Sequence, residues 1–464
     1  MDRPIRRLFL FFALLFVALL VMLTYVQVWA APKLKTNPSN TRAIEQEMKV
    51  DRGSILSADG VKLAVNQKDG EYYVRQYPEG DITSPWLGYN STQYGRAGVE
   101  RVYNEELSGQ SGLLGITSYW DQLVGKTHAG ADVKLTINMA VQRAAAEALG
   151  SRKGAVVALD PRTGAVLAMV SYPRYDPNQL AAEWKNINSN NDRPLVNRAT
   201  SGLYPPGSVF KIIVTAAGLE TGAVTPDTKF TDTGSVMAGG FEVNNYGNSV
   251  YGDHDFTEAF AESINTTFAK LGVKMGAQTL ADYAAAFGFG KQPPFPLGTA
   301  TSVFPSPAGM DKAHVAQVSY GQAEVLASPL QMALASAAVA DGGQIMKPYL
   351  VSQILSRGGS VLSETKPERW LTAMNGTTAA TLRDLMIQVV KSGTGTRAAL
   401  DSVQVAGKTG TATVAGAEPH AWFTGFAPAD NPQVVVAVLV ENAGTGGSVA
   451  APIARAVMAA ALGK

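Results

Sequence analysis

Ser208 and Lys211 lie three residues apart in Tyr204-Pro205-Pro206-Gly207-Ser208-Val209-Phe210-Lys211, and from them chemistry can start. A serine hydroxyl becomes a nucleophile beside a base, and a neutral amine can serve as that base. Two prolines and a glycine followed by the apolar run 209–219 predict a helix, with Ser208 at or just before its N-terminus. Lys211 then shares a helix face with the Ser208 hydroxyl. The positive helix end and burial both lower a lysine pKa, favouring the neutral amine. Acyl transfer through Ser208 is the chemistry this spacing allows. The bare Ser-x-x-Lys pattern is not distinctive, because it recurs at Ser363-Glu364-Thr365-Lys366. There Pro367 pushes Lys366 away from helical geometry and predicts a loop.

Two further clusters bear on Ser208. Ser263-Ile264-Asn265 falls between an amphipathic run carrying Phe256, Ala259 and Phe260 and another that starts near Thr266. A hydroxyl and an amide two residues apart can relay a proton and hold a substrate amide. The same residues also suit a helix N-cap, and Ser189-Asn190-Asn191 shows that the bare pattern recurs. Lys408-Thr409-Gly410-Thr411 follows residues 403–406, which alternate like a strand. On a strand Thr409 and Thr411 share one face and Lys408 takes the other. Two hydroxyls can then grip a carboxylate over the lysine charge, and Gly410 lets backbone approach a ligand closely. Lys408 is expected to stay charged, held so by that carboxylate and by solvent at the cleft mouth. Lys391-Ser392-Gly393 is a look-alike at a helix end. A phosphate loop is excluded, since Ser402 stands where the Gly407-Lys408-Thr409 motif would need its first glycine.

The elements that must position these residues follow from the rest of the chain. Its 464 residues suffice for two or three domains. A hydrophobic content of 46% with 17% charged residues fits a large core. A net charge of +1 without a long basic run argues against nucleic acid as a partner. The absence of cysteine removes disulfides and thiol catalysis. His128, His254, His314 and His420 are scattered, without His-Glu-x-x-His spacing, so neither a metal nor another cofactor is expected. His420, beside Trp422 and Phe423, reads as a packing residue at the cleft edge.

Residues 8–28 carry no charge and are apolar or aromatic except for Thr24 and Gln27, long enough to cross a bilayer. Arg3, Arg6 and Arg7 precede them, which places the N-terminus in the cytoplasm and the rest outside. Val28-Trp29-Ala30 resembles a signal cleavage site, but the apolar run is longer than such signals need, so a retained anchor is expected. The expected organisation is a tail (1–7), an anchor (8–29), a small mixed pedestal (30–150) and a large domain (151–464). A polar linker with Pro32, Asn37, Pro38 and Ser39 opens the pedestal, short strands at 55–56 and 72–75 follow, and a helix at 139–149 closes it between Asn138 and Gly150. The large domain reads as α/β of the α+β kind. Strands at 155–159 and 165–170 form a hairpin, 434–440 is a strand buried on both faces, and helices at 326–340 and 377–390 fill the middle. A last helix starts near Pro452. Strands at both ends predict an antiparallel sheet whose terminal strands pair, with helices covering its faces.

The ordered set Ser208-x-x-Lys211, Ser263-x-Asn265 and Lys408-Thr409-Gly410 resembles the signature series of penicillin-binding proteins and class A β-lactamases. Residues 154–177, 204–211, Gly321-Gln322 with Pro329-Leu330-Gln331, 392–397 and 407–412 are similar to penicillin-binding transpeptidase segments. Arg52-Gly53-Ser54-Ile55 and Gly98-Val99-Glu100 with Tyr103 resemble the pedestal of the class B group. The short pedestal looks most like the A type of high-GC Gram-positive bacteria. The resemblance implies a serine β-lactamase/transpeptidase-like fold and a D,D-transpeptidase that cross-links peptidoglycan stem peptides and is acylated by β-lactams. It implies Ser208 as nucleophile, Lys211 as base, Ser263 as proton relay with Lys408 nearby, and Asn265, Thr409, Gly410 and Thr411 as substrate-binding residues. Backbone N–H groups of Ser208 and Thr411 would form the oxyanion hole. Implied partners are the cytoplasmic membrane, a membrane glycan polymerase and other cell-wall or division proteins. A carboxypeptidase or β-lactamase of the same fold is disfavoured by the anchor and pedestal and by the lack of a second base for deacylation. A non-catalytic β-lactam sensor is disfavoured by three intact signatures and a seven-residue tail.

Overall fold

Val434–Val440 is seven apolar residues without a charge, and it forms a strand buried on both faces. The computed structural model of the chain describes residues 3–30, 48–112 and 129–464. Around that strand stands a five-stranded sheet of β1 (Gly154–Leu159), β2 (Val166–Tyr172), β3 (Ala406–Val414), β4 (Ala417–Ala427) and β5 (Val434–Val440). Their spatial order is β3-β4-β5-β1-β2, every neighbour antiparallel. The terminal strands pair as expected, with Ala437 opposite Val157. Because strand side chains alternate between faces, Val157, Ala437 and Leu439 join one core and Val156, Val436 and Val438 another. The helix Pro329–Ala340, buried along most of its length, covers the first face.

The second face corrects the expected boundary at residue 150. Met139–Leu149 packs beside Ala451–Ala461 behind the sheet and sends Val141, Ala145 and Leu149 into its core. Asn138 caps that helix as expected, accepting from the N–H groups of Ala140 and Val141.

The pedestal holds a second departure. Its sheet runs Val361–Glu364, Val351–Leu355, Asp132–Leu135, Ile55–Leu56, Lys62–Asp69, Tyr72–Gln76. The first two strands come from far beyond residue 150. Asp132–Leu135 alternates partly and fully buried residues, and Val351–Leu355 pairs with its remaining edge, Ile354 opposite Val133. Residues 361–364 are therefore strand, and the Ser363–Lys366 look-alike belongs to a sheet edge where Thr365 Oγ1 donates to the Val351 carbonyl at 2.6 Å.

Inside the pedestal, Arg52 and Arg75 hold the fully buried Glu100, their Nε atoms 2.8 and 2.6 Å from its carboxylate. Burial alone would push the Glu100 carboxyl up, but Arg75 and Arg52 together outweigh it and hold it below the usual range. At the N-terminus, Arg3–Val28 is a 26-residue apolar helix with mean hydropathy 2.8, long and apolar enough to cross a membrane, with none of its apolar window buried. The expected linker residues Pro32, Asn37, Pro38 and Ser39, like His128, lie outside the described residues.

Candidate active site

The loop carrying Ser208 is clamped from several sides. Tyr204 exchanges backbone hydrogen bonds with Ala327 at 2.8 and 3.0 Å. The Pro205 carbonyl accepts from Trp422 Nε1 at 2.9 Å, and Gly207 N–H donates to the Gly321 carbonyl at 3.0 Å. Gly207 adopts φ +54°, a left-handed conformation that suits glycine, and it packs against β3 at Thr411 and Ala412. The chain then makes a 3₁₀ turn over Gly207–Phe210 before the α-helix Lys211–Glu220. Ser208 thus lies in the tighter turn, and Lys211 is the first residue of the α-helix rather than its third. Phe210 anchors the turn by stacking on Phe304 and meeting Phe289 edge-on.

Lys211 and Lys408 are both completely buried. Lys211 Nζ donates to Asn265 Oδ1 at 2.8 Å, to the Ser263 carbonyl at 2.8 Å and to Ser263 Oγ at 3.2 Å. Lys408 Nζ reaches the same Ser263 Oγ at 2.8 Å and the Thr409 carbonyl at 3.2 Å. Lys211 makes no hydrogen bond to Ser208 among the described residues, so the contact expected from their spacing is replaced by one to Ser263 and Asn265. The Phe268 ring below Lys211 Nζ and the Phe260 ring below Lys408 Nζ add π faces but no carboxylate. Burial, and secondarily Lys408, lower the Lys211 pKa well below its usual value. Burial pulls Lys408 from 10.5 to about 7 against the opposing field of Glu262. The protein's own groups therefore do not hold Lys408 firmly charged, and the solvent exposure expected for it is absent because its ammonium lies buried under the strand.

Ser263 and Asn265 are not helix caps. Ile264 takes the N-cap position of Asn265–Met275 and makes no side-chain cap bond. Ser263 sits at φ +62°, a costly conformation for a residue with a side chain. Its Oγ joins the two lysines, while Asn265 Nδ2 donates to the Asn244 carbonyl at 3.1 Å.

Ser208, Ser263, Asn265, Thr409 and Thr411 all line one cleft of about 620 Å³. Thr409, Thr411 and Thr413 share the cleft face of β3, as strand alternation requires. Gly410 differs from expectation. A side chain there would meet the Pro206 carbonyl at 3.0 Å and Val209 at 3.1 Å, so the backbone that comes close is the serine loop itself. That contact sets Ser208 beside Thr411.

Sequence reasoning did not single out several residues of this site. Thr394 Oγ1 lies 2.6 Å from Thr409 Oγ1, and its N–H donates to the Ala261 carbonyl, tying the cleft's two walls together. Glu441 accepts from Tyr204 Oη and Arg198 Nε, both at 2.9 Å, and so anchors the serine loop from the end of β5. Arg198 opens the short helix Arg198–Ser201 just upstream of Tyr204, capped by Asn197. Glu262 lines the cleft beside Ser263. His420 meets Tyr204 edge-on and accepts from Asn442 N–H at 3.1 Å; burial lowers its pKa. Among the described residues no cluster of three or more His, Cys, Asp or Glu could hold a metal ion.

Residues 154–459 match the penicillin binding protein transpeptidase domain, and residues 52–133 match the penicillin binding protein A dimerisation domain. A peptidoglycan D,D-transpeptidase PbpA from Mycolicibacterium smegmatis is 39% identical, over 100% of this chain and 99% of that protein. A peptidoglycan D,D-transpeptidase MrdA from Haemophilus influenzae is 33% identical over 85% of this chain and 66% of its own. The imipenem acyl-enzyme complex of penicillin-binding protein A from M. tuberculosis superposes with a TM-score of 0.85 at 38% identity, covering 90% of this chain and 99% of that one. With the three signatures gathered in one cleft, the chain belongs to the class B penicillin-binding proteins, the peptidoglycan D,D-transpeptidases.

Proposed function

We propose that Ser208 attacks the carbonyl carbon of the penultimate D-Ala in a D-Ala-D-Ala stem terminus. The Oγ–C bond forms, the C–N bond breaks, and D-Ala leaves with the proton it needs to become a free amine. Lys211 takes the Ser208 proton, and the observation that carries this role is its environment. Its amine is wholly buried beside a second lysine, hydrogen-bonded only to neutral oxygens, which favours the neutral form. Ser263 Oγ, shared by both lysines, passes a proton toward the leaving nitrogen. Asn265 orients the substrate amide, and Thr409 and Thr411 bind the terminal carboxylate over Lys408. Gly410 sets their strand against the serine loop. The N–H groups of Ser208 and Thr411 stabilise the oxyanion, commonly one of the largest catalytic terms. An amine on a second stem then takes the acyl group, and β-lactams stop at the acylated serine.

In this reading the Arg3–Val28 helix anchors the chain, with its arginine-bearing start in the cytoplasm and the cleft outside. The pedestal holds the cleft off the membrane, within reach of a glycan polymerase and other cell-wall or division proteins. Mass spectrometry after exposure to a β-lactam tests the core of the proposal. The adduct should fall on Ser208 alone, and Ser208→Ala should abolish labelling with the fold intact, since a part-exposed hydroxyl adds little to packing. An adduct on Ser263 or Ser363 would sink the mechanism.

A further inference from the structure

The proposed reaction needs a second substrate, an amine that is mostly protonated near neutral pH. Something in the cleft must collect that cation and relieve it of a proton, because an ammonium has no lone pair with which to attack. Among the described residues lining the cleft, two side chains carry a full charge, Glu262 and Arg397. Arg397 donates to the Ser448 carbonyl at 3.4 Å. Glu262 is different. It ends the helix Phe256–Ala261, immediately before Ser263, and is partly exposed to the cleft. Its carboxylate has no hydrogen bond or ion pair among the described residues, an uncommon state for a part-buried charge.

We propose that Glu262 is the acceptor subsite: its carboxylate draws in the ammonium of the incoming stem peptide beside the Ser208 ester and accepts the proton that frees the nitrogen lone pair. The assignment rests on Ser208 as nucleophile and deepens that reading. The step balances without a further reagent. The ammonium gives one proton to Glu262, leaving a neutral amine and a carboxylic acid. The amine nitrogen bonds to the acyl carbon, the C–Oγ bond breaks, and the second nitrogen proton returns to Ser208 Oγ. Glu262 then loses its proton to solvent.

The surroundings suit both halves of this task. Helix carbonyl ends carry partial negative charge, so a cation is favoured there before any contact with the side chain. The charged groups around Glu262 are Glu258 one turn earlier on its helix and Lys408 beneath it, with the Tyr251 hydroxyl nearby and Arg397 also on the cleft wall. Burial and Glu258 raise its proton affinity against the opposing pull of Lys408. A carboxylate so placed competes better for an ammonium proton than one in water.

The test uses the full-length protein in detergent, a donor peptide ending in D-Ala-D-Ala, and an acceptor stem peptide with one free side-chain amine. Glu262→Gln should raise KM for the amine acceptor roughly tenfold or more, the usual scale for losing a charged hydrogen bond. The ratio of cross-linked to hydrolysed product should fall in step. An acceptor with a hydroxyl in place of the amine should show no such change, and Glu258→Gln should leave the amine KM near wild type. β-Lactam acylation of Ser208 by Glu262→Gln should stay within about twofold, which also shows that the variant is folded. Unchanged amine KM in Glu262→Gln would overturn the subsite. So would a matching loss of acylation, which would assign Glu262 to sustaining the Lys408 charge. A wild-type protein that is never acylated would overturn the Ser208 reading itself.

Discussion

In the pedestal, Arg52 and Arg75 close on the carboxylate of Glu100; in the cleft, Lys211 and Lys408 close on the hydroxyl of Ser263. Each is a pair of long cationic side chains buried around one shared acceptor. They differ in the charge of that acceptor and in the kind of cation. A guanidinium cannot shed its proton at working pH, so the arginines require a counter-ion, and Glu100 supplies it. An ammonium can shed its proton, and without a carboxylate in contact burial drives the lysines that way. The pedestal cluster is thereby fixed in one charge state and serves architecture. The cleft cluster is kept near the balance between two states, as a group that must exchange protons requires.

The sharpest way to break this contrast is to give the cleft the pedestal's cation. Lys211→Arg should lower the Ser208 acylation rate by roughly 10²–10⁴, the scale for loss of a general base, although formal charge is conserved. Near-normal β-lactam capture by this variant would show that another group takes the Ser208 proton. The reverse exchange removes the pedestal's anion. Glu100→Gln leaves two buried guanidiniums unneutralised and should cost about 3–5 kcal/mol of stability, read as a lower midpoint in urea. An unaltered midpoint would mean that hydrogen bonds alone, not charge, hold that cluster.

A smaller effect concerns Lys408, whose pKa falls from 10.5 to about 7 on burial. Between those values the unfolded chain binds a proton that the folded chain does not, so folding carries a cost that grows as pH falls from 10.5 and levels off below about 7. Lys408→Met removes this cost. The variant should melt higher than wild type by a few degrees at pH 7, and the gap should close as pH approaches 10.5. A gap that stays constant with pH would place the benefit in packing rather than in the proton. A bound carboxylate should push the lysine back up, so the charge that Lys408 brings to recognition arrives together with its ligand.

The residues gathered at the cleft were legible in the sequence because their spacing is local. Ser208 with Lys211, Ser263 with Asn265, and Lys408 through Thr411 are short stretches, and their order along the chain distinguished them from the look-alikes at Ser189, Ser363 and Lys391. The two-faced core of the central sheet was legible too, in the unbroken apolar run of β5. What escaped was long-range. Nothing in residues 351–364 announces a pairing with Asp132–Leu135, because a strand's register partner leaves no mark on its own pattern. Met139–Leu149 reads as an ordinary amphipathic helix, and only the sheet behind it says which domain it serves. Glu262 was passed over since a lone glutamate at a helix end is indistinguishable in sequence from a solvated one. The burial of Lys408, expected at a solvated cleft mouth, escaped for a related reason: strand alternation gives the side of the sheet but not the depth of cover.

The chain leaves the catalytic domain at residue 350, contributes two strands to the pedestal and returns, and this stitching bears on how force travels through the molecule. Thr136 Oγ1, just past Asp132–Leu135, donates to the Val166 carbonyl of β2 at 2.7 Å, so the seam is pinned on both sides. Upstream of the seam lies Pro329–Ala340, whose Ser336 Oγ sits 2.8 Å from Thr424 Oγ1 on β4, the strand next to the cleft strand β3. A tug arriving at the pedestal therefore meets the sheet that shapes the cleft at β2, the edge opposite the cleft strand β3. The two parts are thus joined by several crossings of the chain and by hydrogen bonds at the seam, where a single linker would leave one.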